Sequence, residues 1–298
     1  MSYAMKIFNS HGITPLTNSV AHPVPYQGSK RKLAPQILNY FPTEAGTLIE
    51  PFAGSAAISL AALQSAKVKK VHLNDVLNPL VNLWQKIANT PKDTADAYES
   101  LWTEQLSDPK RFYEKTRSEF NVDQDPVKLL YLLARCVKSA VRFNQHGHFN
   151  QSADHRRLGA NPARMRKSIL GAAELLAGKL TTTTLDYKEL IPMAKRGDIL
   201  YLDPPYQGTS SRGDRRYIRQ LEFETLTDNL DSLLRRKIPF LLSFDGRCGN
   251  KTYGKSLPAE LGLIKIDLAA GRSTQATLNG KVEETVESLY VSPTLAKA

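Results

Sequence analysis

The tetrapeptide Asp203-Pro204-Pro205-Tyr206 follows directly on an apolar run, Asp198-Ile199-Leu200-Tyr201-Leu202, that reads as a buried strand. In an open parallel sheet, ligands are handled just beyond the carboxyl ends of the strands. An acid, two prolines and an aromatic at that place suit one task, the handling of a nucleobase amino group. The lone pair of such a group is delocalised into the ring, which makes it a poor nucleophile. The Asp203 carboxylate and the Pro204 carbonyl can each accept one N–H, drawing the nitrogen toward tetrahedral geometry. The prolines fix φ and offer carbonyl acceptors without competing donors. Tyr206 offers a flat face for a base turned out of its stack. The plainer alternative is a turn after a strand, because Asp-Pro and Pro-Pro are common turn dipeptides.

A second group lies at Glu50-Pro51-Phe52-Ala53-Gly54-Ser55-Ala56-Ala57. Residues 47–50 read as a short strand ending in an acid, and residues 55–66 as a helix of small apolar residues. A glycine-containing turn between them lets a ligand approach the backbone at a helix N-terminus. Only one of the three glycines of a dinucleotide fingerprint is present, so phosphate cradling is poorly supported. Asp75 closes the next strand, residues 68–74, where an acid can accept hydrogen bonds from both hydroxyls of a ribose. The pair suits a nucleoside bound without pyrophosphate, and S-adenosylmethionine fits that description. A third group, Tyr26-Gln27-Gly28-Ser29-Lys30-Arg31-Lys32-Leu33, is not a phosphate loop: no glycine stands five residues before Gly28 and no strand feeds it. By itself it reads as a basic loop leading into a helix.

Strand, helix, strand and helix over residues 46–84 give a parallel α/β pattern. Residues 83–177 are helix-rich, with helices expected over 127–141 and 163–176 and a polar, aromatic and basic stretch at 142–157 between them. The α/β pattern then resumes, with strands expected at 181–185, 198–202 and 239–244 and an amphipathic helix at 222–236. Alternating runs at 263–268 and 285–291 read as late antiparallel strands.

Length and composition bound what these groups can belong to. At 298 residues the chain can bury a large core without staples. Its 41% hydrophobic and 23% charged residues exclude a disordered chain. Two cysteines, Cys136 and Cys248, cannot frame disulfides, and a reducing, cytosolic compartment is the default. Neither a signal peptide nor a membrane span is expected. The formal charge of +11 is concentrated at Lys30-Arg31-Lys32, at Arg156, Arg157, Arg164, Arg166 and Lys167, and at Arg212, Arg215, Arg216 and Arg219. Such clusters suit a polyanion. His146, His148, His155 and Cys136 fit no common zinc spacing, and a polar loop explains them better.

Together with Asp186-Tyr187 and the stretch Arg142-Phe143-Asn144 to Gly147 and Phe149-Asn150, the three groups stand in the order found in one family. From about residue 26 to 290 the chain resembles the Dam-like (alpha-class) DNA adenine N6-methyltransferases, many of which serve restriction–modification systems. The resemblance implies an α/β, Rossmann-like, S-adenosylmethionine-dependent methyltransferase sheet carrying an inserted, mainly helical DNA-recognition domain. Residues 1–83 and 178–298 would form the catalytic domain and 84–177 the target-recognition domain. Asp203, Pro204, Pro205 and Tyr206 match the catalytic loop. Tyr26, Lys30, Glu50, Phe52, Gly54, Asp75, Asp186, Tyr187 and Asp203 match positions that surround the cofactor. Arg142, Asn144, His146 and Asn150 match a β-hairpin that touches DNA, and the neighbouring Arg156 and Arg157 suit its phosphates. Double-stranded DNA would be the partner, with no membrane, and the resemblance leaves open whether a cognate restriction endonuclease acts separately. The chemistry needs no metal, because a sulfonium supplies the electrophile. Two departures stand out: Ala56 occupies a position where the family often has glycine, and Gln151-Ser152-Ala153 replaces a proline–glycine pair. Alternatives are a cytosine N4-methyltransferase, which usually carries serine in place of Asp203, and a DNA-binding relative without catalysis.

Overall fold

The computed structural model describes residues 20–205, 222–248, 251–253, 256–272 and 284–295. Tyr206, the arginine cluster at 212–219 and residues 273–274 lie outside the described residues. Among the described residues eight strands form one sheet: β1 (Ala45–Glu50), β2 (Val68–Asn74), β3 (Leu180–Thr183), β4 (Ile199–Leu202), β5 (Phe240–Cys248), β6 (Lys251–Tyr253), β7 (Ile264–Arg272) and β8 (Glu284–Val291). Their order is β3-β2-β1-β4-β5-β8-β7, with β6 paired to β5. The first five are mutually parallel, while β8 runs antiparallel to both β5 and β7. The described helices are α1 (Ala34–Leu38), α2 (Ala57–Gln64), α3 (Asn78–Asn89), α4 (Pro91–Glu104), α5 (Pro109–Asp123), α6 (Pro126–Arg135), α7 (Pro162–Leu176), α8 (Tyr187–Leu190) and α9 (Phe223–Arg235). This is the Rossmann-like sheet expected from the sequence. No helix among the described residues is long and apolar enough to cross a membrane.

The two-residue period of a strand divides the core. Leu48, Ile199, Tyr201, Leu241 and Leu289 enter a cluster with α1, α2, α3, α6 and α7. Their neighbours Ile49, Leu200, Leu202, Leu242 and Tyr290 pack on the opposite face with α8 and α9. All four residues of β4 are buried, as a strand covered on both faces must be. Residues from the helical segment between β2 and β3, Tyr98, Tyr113, Phe120 and Leu129 among them, continue the first cluster.

Local sequence explains where several helices begin. Asp108, Asp125 and Asn161 each precede a proline, and each side chain accepts from a backbone N–H of the first turn of α5, α6 and α7. The apolar run 127–141 was expected to be one helix, but α6 ends at Arg135. Cys136 turns extended to bridge Ala153, and the Val137 N–H donates to the Ser152 carbonyl at 3.0 Å. Pairing with the returning chain thus outweighs helix propensity. Residues 142–150 double back as a short hairpin, bridged at Phe143 and Phe149 and turned through Gly147 at φ +76°.

Ala56 enters α2 from the left-handed region at φ +48°. For a residue with a Cβ this costs about 1–2 kcal/mol. Its methyl is fully buried, which returns about 0.8 kcal/mol, and glycine would loosen the unfolded chain by a further ~0.4–1 kcal/mol. The opposing contributions nearly cancel. Ala56→Gly should therefore change the unfolding free energy by less than about 1 kcal/mol in urea titrations. Ala56→Val, which adds bulk and β-branching to a positive φ in a closed core, should lose roughly 2 kcal/mol or more.

Candidate active site

The chain leaves β1 toward β2 on one side and leaves β4 toward β5 on the other, so a crevice forms beyond the ends of these two neighbouring strands. Glu50 ends β1 and Asp203 follows β4, so the crevice is flanked by carboxylates. A cavity of about 700 Å³ occupies it. Tyr26, Lys30, Glu50, Phe52, Gly54, Asp75, Asp186, Tyr187, Asp203, Pro204 and Pro205 all line this single space. These residues come from five separate stretches of chain.

The turn after β1 is fixed from several sides. The Glu50 carboxylate accepts the Ser59 N–H at 2.7 Å. The Gly54 N–H donates to Asp75 Oδ2 at 3.1 Å, and the Gly54 carbonyl accepts from Trp84 Nε1 at 3.0 Å. Gly54 has φ +46°, and a Cβ there would meet the Tyr26 ring at 3.4 Å. Glycine therefore suits the turn, and the Tyr26 ring packs directly over it. Ser55 donates to Ser29 at 2.8 Å, and the Gln27 N–H reaches the Ser139 carbonyl at 3.0 Å. The 26–30 stretch is thereby tied to the turn and to the segment leading into the hairpin.

Asp75 Oδ1 also accepts the Leu77 N–H at 3.0 Å. Burial nevertheless raises its carboxyl above the usual range, against the pull of the two amide donors. Asp186 caps α8 by accepting the Lys188 N–H at 3.1 Å. Tyr187 stands 5.3 Å from Phe52 between ring centroids, and its hydroxyl is buried without a hydrogen-bond partner among the described residues.

Two contributors went unnoticed in the sequence. Asn74, fully buried, donates to the Pro51 carbonyl (2.9 Å) and the Leu185 carbonyl (3.0 Å). Its Oδ1 accepts from the Thr183 hydroxyl (2.7 Å) and the Leu185 N–H (2.9 Å). One amide thus joins the turn after β1 to the chain just before Asp186. A polar residue at the end of a buried parallel strand, beside Asp75, was the available signal. The second is Glu287 on β8. The Lys30 ammonium, 5% exposed, lies 2.8 Å from Asp203 Oδ2 and 3.5 Å from Glu287 Oε2, and donates to the Gly28 carbonyl at 3.0 Å.

The positions expected to face DNA sit elsewhere. Val141 and Phe143, at the base of the hairpin, line the cavity, while His146 and Asn150 are exposed. Arg142 is half-buried. Asn144 Oδ1 accepts the N–H groups of His146 and His148 and so shapes the hairpin tip. Arg156 and Arg157 extend into solvent, yet both guanidiniums are bonded to the buried Asp154 carboxylate. Those bonds, Arg156 first, hold the Asp154 carboxyl well below the usual range.

Burial pushes Glu50 up to about 8, with Ser59 opposing and the nearby Asp203 charge adding to it. Asp203 is pushed up to about 6, chiefly by burial, with Lys30 opposing and Glu287 contributing. A carboxyl whose pKa is higher in the folded than in the unfolded chain costs stability as pH rises between the two values. Glu50→Gln removes that cost for one group and retains an oxygen for the Ser59 N–H. Relative to wild type, the variant should gain at least about 1 kcal/mol of unfolding free energy between pH 5 and pH 8, measured by urea titration at each pH.

Comparison with known proteins agrees with this geometry. The family model described as D12 class N6 adenine-specific DNA methyltransferase matches residues 26–267. The retron Ec67 DNA adenine methylase of Escherichia coli is 29% identical over 192 residues, covering 62% of this chain and 64% of that protein. The DNA adenine methylase of Serratia marcescens is 27% identical over 195 residues, covering 62% and 67%. The type II methyltransferase M.MjaIII of Methanocaldococcus jannaschii is 27% identical over 198 residues, covering 61% and 68%. The chain thus spans about two thirds of the length of these curated relatives. With most of its length matched by the family model, and with Asp203, Asp75 and Asp186 around one cavity, the chain belongs to the D12 class N6 adenine-specific DNA methyltransferases.

Proposed function

We propose that this protein is a site-specific DNA methyltransferase that transfers a methyl group from S-adenosylmethionine to the N6 amino group of adenine in duplex DNA. One observation carries the reading: the Asp203-Pro204-Pro205 loop opens into the same cavity as Asp75 and Asp186. The family is one of S-adenosylmethionine-dependent enzymes, and the residues here suit that cofactor. The cavity volume is in the range of small-molecule sites. The Tyr187 hydroxyl, buried without a hydrogen-bond partner among the described residues, leaves a polar group for a ligand to satisfy. Asp75 would hold the ribose hydroxyls and Asp186 with Tyr187 the adenine. Tyr26, Lys30, Glu50, Phe52 and Gly54 would surround the methionine end. When bound, the cofactor supplies an electrophilic methyl group on sulfur.

Asp203 and the Pro204 carbonyl each accept one N–H of an adenine turned out of the duplex. That grip aims the nitrogen lone pair into the cavity and stabilises positive charge as it develops on nitrogen. Once alkylated, the amino nitrogen is acidic enough to lose its proton without a strong base. Tyr206 would stack on the base. Residues 84–177 would read the target, with Arg142, Asn144, His146 and Asn150 at the hairpin. Arg156 and Arg157, oriented by Asp154, would meet phosphates.

Nucleoside analysis of treated DNA tests the reading directly. N6-methyladenine is expected, whereas N4-methylcytosine or no modified base would contradict it. Asp203→Ala should lower turnover at least 1,000-fold (about 4 kcal/mol of barrier) while DNA affinity in a mobility-shift titration stays within about threefold. Because Asp203 must be ionised to accept both directionally and electrostatically, kcat/KM should rise with pH through about 6.

A further inference from the structure

Asp203 has a problem as an acceptor. Its Oδ2 is engaged by the Lys30 ammonium at 2.8 Å, with the lysine nearly excluded from water and the Asp203 side chain partly exposed. An adenine amino group arriving at that carboxylate meets a cation beside it, and can take Oδ2 only as the ammonium gives way. Moving Lys30 away without a new counter-ion would leave a buried charge unpaired, which costs several kcal/mol.

The fold supplies a second counter-ion. β8 runs antiparallel to β5, with Ser243 opposite Leu289 and Gly246 opposite Glu287, so an extra residue bulges out of β5 near Asp245. Tyr290 holds that bulge by donating to Asp245 at 2.6 Å. Because β8 is reversed, Glu287 lies toward the carboxyl ends of the parallel strands, the end where Asp203 sits. By the two-residue period it shares the sheet face of Leu289, the face on which α1 and the 26–33 stretch pack. Glu50 shares the face of Leu48, and Asp203 follows Tyr201 on the same face. The outcome is a Lys30 ammonium approached by Asp203 at 2.8 Å and by Glu287 at 3.5 Å. The second distance is slack for an ion pair, leaving room for the ammonium to move toward Glu287.

Resting on the methyltransferase reading above, we propose that Glu287 is a positioning residue: it takes over the Lys30 ammonium as the adenine amino group engages Asp203. Asp203 then keeps its charge and recovers the oxygen that binds N–H. The charged groups facing Asp203 among the described residues are Lys30 from the N-terminal stretch, Glu50 from β1 and Glu287 from β8.

The test compares wild type, Glu287→Gln and Glu287→Asp. In Glu287→Gln, kcat at pH 8 should fall about tenfold or more, with KM for DNA and for S-adenosylmethionine within threefold. Glu287→Asp should recover part of the loss. Independently of turnover, carbon-13 NMR of the Asp203 carboxyl in cofactor-free protein, identified with Asp203→Asn, reports its titration midpoint. Removing the Glu287 charge should move that midpoint to lower pH by half a unit or more. The midpoint reports the Glu287 charge at Asp203, and a merely structural side chain would change the melting temperature without a fall in kcat at preserved KM. An unmoved midpoint, or a kcat within twofold of wild type, overturns the proposal. Failure of the wild-type enzyme to make N6-methyladenine overturns the underlying reading, and the proposal with it.

Discussion

The organisation of the site depends on an ammonium enclosed among carboxylates. Lys30 meets Asp203, Glu287 and the Gly28 carbonyl while almost excluded from water. Desolvating such ions costs several kcal/mol each, and only close pairing offsets it. The balance is visible in Asp203, which burial drives toward neutrality and Lys30 holds partly back. Without the lysine, that acid would be protonated over more of the neutral range and would lose acceptor capacity on one oxygen. Glu50, lacking a cation of its own among the described contacts, shows what burial does with less help, being pushed up to about 8.

Topology explains why these groups meet. The β1 and β4 ends border the crevice created where strand order reverses. Alternation along the strands then directs Glu50, Asp203 and Glu287 to the face covered by the 26–33 stretch and α1. The nucleoside end of the cavity is assembled differently, through Asn74. Its four hydrogen bonds connect the turn after β1 with the approach to Asp186. Buried polar groups of this kind cost much when unsatisfied and specify one arrangement when complete.

Much of this was legible in the residues. Strand ends carrying Glu50, Asp75 and Asp203 followed from apolar runs stopped by acids, and the parallel sheet followed from their spacing with helices. Local signals failed where distant chain decided the outcome. The helix expected over 127–141 stops at Arg135 because residues 137 and 152 pair. Glu287 sits in an alternating run that betrays a strand, but its meeting with Lys30 depends on β8 being reversed beside β5 and on the bulge there. Nothing in sequence spacing gives that register. Ala56 looked like a departure at a turn, and it holds a left-handed φ of the kind that favours glycine. The ties of Arg156 and Arg157 to Asp154 were hidden in a basic cluster that read as uniformly available charge. Tyr206, prominent in the sequence, lies outside the described residues.

The central claim is that one cavity brings a nucleoside-bearing methyl donor beside the Asp203 carboxylate. A crystal structure of the protein with S-adenosylhomocysteine bound tests this most directly. The account predicts ribose hydroxyls on Asp75, the adenine against Asp186 and Tyr187, and the sulfur directed toward Asp203 across open space for an amino group. Density for the ligand at another place, or an adenosine bound with its sulfur turned away from Asp203, would contradict it.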